Sequence, residues 1–134
     1  MTLSMLLKSF STAAVLALAA TATAAQAHGA LVSANPAPGS TVAATSQLRL
    51  KFNEPIKAKF SGADITQTSM VMGGKMVNHP MKLQGISARV DKKDARTLVV
   101  TSKTRLSPGA YKVEWRVVTS DNHRVAGDYL FTVR

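Results

Sequence analysis

The sequence predicts an all-β fold: a β-sandwich of about seven short strands with Greek-key connections, a small barrel being the competing architecture. Two observations carry this. Apolar residues recur with period two, the pattern of half-buried antiparallel sheet. Turn residues punctuate those runs, and nothing beyond the first 27 residues reads as a long amphipathic helix.

Taken in order, Ala30 to Ala34 is a first strand, closed by the turn chemistry of Asn35-Pro36-Ala37-Pro38-Gly39. Leu48, Leu50 and Phe52 then alternate with Arg49 and Lys51, so one face is apolar and the other basic. Ala63 to Thr68 follows, then Gly73-Gly74 as a turn. Ile86 to Val90 and Thr97 to Ser102 are separated by the polar turn Asp91-Lys92-Lys93-Asp94. After Pro108-Gly109, Tyr111, Val113, Trp115 and Val117 alternate with Lys112, Glu114 and Arg116, which makes Trp115 a core residue. Tyr129, Phe131 and Val133 alternate with Leu130, Thr132 and Arg134 in the last strand.

Residues 1 to 27 are different in kind. They hold one basic residue, Lys8, no acidic one, an apolar stretch from Ala13 to Ala20, and small residues up to Ala27. That order is a secretory signal peptide, and the apolar stretch falls short of the roughly 20 residues of a membrane span. Ala25-Gln26-Ala27 is the expected cleavage site, although Ala20-Thr21-Ala22 and Ala22-Thr23-Ala24 also fit the pattern. Cleavage after Ala27 leaves residues 28–134, one domain that is not itself membrane-spanning, and sets His28 at its start. An N-terminal histidine is a ready chelate, because its α-amino nitrogen and its imidazole can hold one metal ion together.

Composition narrows the chemistry. The chain has no cysteine, which excludes disulfides and thiolate ligands in an oxidising compartment. Without Lys8 the remaining 16 Lys+Arg against 7 Asp+Glu give a charge of +9. The basic residues are spread along the chain with few aromatics between them, so nucleic acid is not the expected partner. Solubility and a weak attraction to anionic membrane surfaces suit this charge better.

Two groups of residues have the chemistry of copper ligands. Four methionines, Met70, Met72, Met76 and Met81, share a short segment with His79, Gly73-Gly74, Asn78 and Pro80. The segment reads as a loop, since no strand period accounts for all four. Thioethers are soft neutral donors suited to Cu(I), and the His79 imidazole can complete the set. The second group is Thr119-Ser120-Asp121-Asn122-His123. In extended backbone Asp121 and His123 would point the same way. A carboxylate and an imidazole, added to the two nitrogens of His28, suit tetragonal Cu(II). Glu54 is placed to join as a further ligand or as an acceptor that orients an imidazole. A hydrogen-bonded turn is the plain alternative for Asp121 and His123. A Ser120–His123–Asp121 hydrolase is set aside, as no nucleophile elbow is present.

These residues resemble the CopC family of bacterial periplasmic copper-handling proteins over essentially all of residues 28–134. The resemblance runs through His28, the Pro36 to Gly39 turn, Phe52-Asn53-Glu54, Phe60-Ser61-Gly62-Ala63 and the Met/His segment. It continues through Gly109-Ala110-Tyr111-Lys112-Val113-Glu114-Trp115-Arg116 and Ser120-Asp121-Asn122-His123. It departs at Gln67, where family members often carry a further methionine. The resemblance implies an Ig-like or cupredoxin-like Greek-key sandwich or barrel with separate copper sites at opposite ends. It assigns Cu(II) to His28, His123 and Asp121 with Glu54 nearby, and Cu(I) to Met70, Met72, Met76, Met81 and His79. A non-enzymatic periplasmic copper carrier or buffer, serving copper homeostasis and resistance, is the function it implies. Its implied partner is a CopD-like inner-membrane protein. The other functional classes open to such a sequence are a histidine-brace copper oxidase or oxygenase and a metal-free structural sandwich.

Overall fold

The computed structural model describes residues 30–134, which form nine strands. These are β1 (Leu31–Asn35), β2 (Thr41–Val42), β3 (Gln47–Phe52), β4 (Ile56–Met72), β5 (Lys75–Lys82), β6 (Ile86–Val90), β7 (Thr97–Ser102), β8 (Gly109–Thr119) and β9 (Arg124–Val133). One sheet has the order β1-β3-β7-β6 and the other β2-β9-β8-β4-β5. All pairs are antiparallel except β2 with β9. Neighbours such as β3 with β7 and β4 with β8 are distant in sequence, which is the Greek-key crossover. The architecture is thus the sandwich rather than the barrel.

The alternating residues of the sequence build the core. Leu48, Leu50 and Phe52 are fully buried on β3, and Leu98 and Val100 meet them from β7. Ile65, Tyr111, Val113, Val117, Phe131 and Val133 close the core from the second sheet. Trp115 is 7 % exposed and its ring meets Phe52 edge-on at 5.0 Å between centroids, which joins the two layers. Such an edge contact adds about 0.5–1.5 kcal/mol beyond the area it buries. Tyr111 stacks on Phe131 at 5.5 Å and donates its hydroxyl to the Ser107 carbonyl at 2.6 Å.

Three elements differ from expectation. The second-sheet strand read as Ala63 to Thr68 runs from Ile56 to Met72, interrupted by bulges at 57–62 and 67–69. The segment read as a methionine loop is strand except at its turn: β4 and β5 form a hairpin through Gly73 and Gly74. Both glycines have positive φ, +57° and +75°, as a two-residue hairpin turn of the favoured hand demands. The third is β2, only two residues long, which carries no period of its own. Among the described residues no helix is long and apolar enough to cross a membrane.

Candidate metal centre

The turn from β8 to β9 draws Asp121 and His123 together. Asp121 Oδ2 lies 2.7 Å from His123 Nδ1. The two residues sit in a turn rather than in extended backbone, with Asn122 between them at φ +67°. Asn tolerates this left-handed region better than most residues. Thr119, fully buried, is the post to which the turn is tied. Its hydroxyl donates to Asp121 Oδ1 and accepts the His123 N–H at 3.2 Å. The Thr119 and His123 backbones also pair at 2.9 Å. These bonds, that from Thr119 first and that from His123 second, hold the Asp121 carboxyl down to about 2, so it is ionised at any ordinary pH. The hydrogen-bonded turn considered as an alternative is therefore present. It is also a rigid mount for a carboxylate and an imidazole.

Two further hydrogen bonds bring other segments to this turn. Ser120 N–H donates to the Pro55 carbonyl at 2.9 Å, which sets the Asn53-Glu54-Pro55 corner beside it. Ala30 N–H donates to Asn53 Oδ1 at 2.9 Å, and Asn53 N–H to the Ala30 carbonyl at 3.0 Å. Thus the chain two residues beyond His28 is fastened to the residue before Glu54. His28 and the whole 1–27 segment lie outside the described residues. Among the described residues no three His, Cys, Asp or Glu side chains gather as a metal-binding group. Asp121 and His123 form a pair, and the Met group falls outside that residue set.

The methionines lie at the far end of β4. Cross-strand partners share a face, and the register pairs Met70 with Val77, Val71 with Met76, Met72 with Lys75 and Gln67 with Met81. Alternation along β5 then places Val77, His79 and Met81 on the face of Met70 and Met72. Met76 lies on the opposite face, where Ser69 Oγ approaches its sulfur at 3.8 Å. The hairpin therefore sets four of the five residues along one face and Met76 on the other. The thioethers are open to solvent, with Met72, Met76 and Met81 each about half exposed. Gln67 is buried beneath this end and reaches Ser107 Oγ at 3.4 Å.

Ile56 at the start of β4 pairs with Thr119, and Met72 at its end pairs with Lys75. The two groups thus lie toward opposite ends of β4, and its 11-residue partner β8 spans about 35 Å between Thr119 beside Ile56 and Gly109 beside Met70. Thr119 stood in the motif read from the sequence, but its role in tying the turn was not read there. Its signal was a hydroxyl placed two before the aspartate and four before the histidine.

Comparison with known proteins decides the family. The CopC domain matches residues 31–134. The chain belongs to the CopC family. It is 40% identical over 110 residues to copper resistance protein C of Pseudomonas syringae pv. tomato, covering 82% of this chain and 83% of that protein. It is 39% identical over 111 residues to copper resistance protein C of Escherichia coli, with 82% and 84% covered. The crystal structure of PcoC, a methionine-rich copper resistance protein from Escherichia coli, superposes with a TM-score of 0.69 at 36% identity. It covers 81% of this chain and all of that one. The sandwich is accordingly the cupredoxin-like fold of the CopC structures, as the sequence resemblance implied.

Proposed function

We propose that this CopC-family chain is a non-catalytic periplasmic copper carrier or buffer, with Cu(II) and Cu(I) as its cargo. The family relationship supports copper handling in general, since the relatives named above are copper resistance proteins. The observation that carries the finer reading is the convergence of Ala30, Asn53 and Pro55 on the Thr119–His123 turn. In this reading cleavage after Ala27 frees the α-amino group of His28. His28 supplies two nitrogens, His123 an imidazole and Asp121 a carboxylate, with Glu54 at the edge of the site. Imidazole and carboxylate donors favour Cu(II), and thioethers favour Cu(I). Met70, Met72, His79 and Met81 on one hairpin face would hold Cu(I) loosely, as neutral and solvent-open ligands that exchange. Met76, assigned by the resemblance to the same site, faces away from it. Handover then proceeds by ligand exchange to a CopD-like inner-membrane partner.

Protons compete for the same nitrogens. An N-terminal amine titrates near about 7.7–8.0 and an imidazole near about 6.5 in peptides, so Cu(II) affinity falls as the medium is acidified. The test is a Cu(II) titration of two forms, one beginning at His28 and one with a single extra residue before it. We expect the extended form to bind at least tenfold more weakly, the scale on which even an outer-shell partner acts. Equal affinity in the two forms would falsify the chelate.

A further inference from the structure

Phe60 has a backbone and an exposure that neither the core nor the copper sites use. Its φ is +67°, a region that strains an aromatic residue, and the residue is 64 % exposed. The conformation is built in. Between Lys57 paired with Val118 and Gly62 paired with Arg116 the β4–β8 ladder breaks, and residues 58–61 stand out as a bulge. Ser61 fastens both sides of it. Its hydroxyl donates to the Lys57 carbonyl and accepts the Val118 N–H at 2.9 Å.

Around the ring the charge is of one sign. Lys59 Nζ lies 5.2 Å and the Arg124 guanidinium 5.6 Å from its centroid. Two shallow concavities share Phe60, Val118 and Arg124, extend to Lys57 and Arg116, and have no Asp or Glu in their lining.

We propose that this crest is a docking surface for anionic phospholipid headgroups. Phe60 enters the headgroup layer, and Lys57, Lys59 and Arg124 meet the lipid phosphates. An exposed ring among cations suits an interface whose depth is apolar and whose surface is negative. Residues 28–134, with a net charge of +9 from basic residues spread along them, fit a continuous negative plane better than a single acidic patch on a protein. Lys57 Nζ donates to Asn122 Oδ1, so docking turns the Asp121–His123 turn toward the membrane. The docking does not depend on copper.

Vesicle sedimentation of the chain, without added copper, tests this. The arms are vesicles of equal phosphatidylglycerol and phosphatidylcholine, vesicles of phosphatidylcholine alone, and poly-glutamate as a soluble acidic chain. Binding is expected only to the phosphatidylglycerol vesicles, and it weakens with salt. At roughly fivefold for each basic residue removed from the surface, Lys59→Glu with Arg124→Glu weakens binding by at least about 25-fold. Lys92→Glu with Lys93→Glu makes the same charge change in the exposed turn after β6 and has a much smaller effect. Phe60→Gly relieves the backbone, so it raises the melting temperature while weakening vesicle binding. Equal losses in the two charge variants would leave only diffuse attraction and overturn the dock. Binding to poly-glutamate without binding to vesicles would overturn it in favour of an acidic protein.

Discussion

Thr119 would support the proposed Cu(II) site without touching the ion. Its hydroxyl is fully buried and holds both Asp121 and the His123 backbone. Thr119→Val keeps the shape and removes both bonds. It leaves the part-buried His123 N–H without that acceptor, a loss of about 0.5–1.5 kcal/mol in stability. It also loosens the carboxylate and imidazole, for which we expect Cu(II) affinity to drop about 10–100-fold. Thr119→Ser retains the hydroxyl and should recover most of the affinity in a competitive copper titration. Failure of the serine variant to recover it would show that the methyl group, not the hydroxyl, supports the site.

At the scale of elements, legibility followed burial. Strand β3 alternates cleanly between exposed and buried, and β8 nearly so, and both were plain in the sequence. Strand β5 is exposed along its whole length, so no apolar face imposes a period, and its residues looked like loop. Bulges broke the phase of β4, which hid its ends and the separation of Met76 from the other thioethers. The Asp121–His123 pairing was legible as a motif, but its support by Thr119 required the folded turn. The hairpin register now yields a sharp expectation. Met70→Leu, Met72→Leu and Met81→Leu should each lower Cu(I) affinity by at least about tenfold, the scale on which even outer-shell partners act, and Met76→Leu should leave it unchanged. An equal loss at Met76, measured by competition with a Cu(I) chelator, would mean that the hairpin opens to bind.

The turn between β6 and β7 gives a second expectation at this scale. Arg49 and the Lys93 N–H bond Asp91, while the Arg96 N–H at 3.0 Å and the Thr97 hydroxyl at 2.8 Å bond Asp94. Both carboxyls are held below their ordinary value of 3.8. Their ionised forms therefore favour the folded state, fully above the ordinary value and no longer once the pH falls through the depressed one. Asp94→Asn should melt below the parent at neutral pH. The gap should close as the pH is taken from about 4 toward 2. A gap that is constant with pH would assign the effect to hydrogen-bond geometry alone.

The whole molecule depends on the contact between its layers, and Gly127 is where that contact is most constrained. Gly127 pairs with Trp115 across β8 and β9, and a Cβ there would lie 2.5 Å from Trp115 Cζ2. Backbone conformation is no obstacle to alanine at this position; the indole ring is. The ring also meets Phe52 of the opposing sheet, itself fully buried. Close-packed interiors pass such displacements on rather than absorb them. Gly127→Ala therefore pushes Trp115 toward Phe52 and should cost about 1–3 kcal/mol. For a domain of this size each kcal/mol lowers the melting temperature by about 4–8 °C. Phe52→Leu alone also destabilises, by removing the edge contact, but it opens space in the direction in which the ring is driven. The double variant should thus melt higher than the sum of the single losses predicts, with a coupling on the order of 1 kcal/mol. Strict additivity would show that the Trp115 ring yields toward solvent instead, and the two sheets would then be less tightly coupled than the Trp115–Phe52 contact implies.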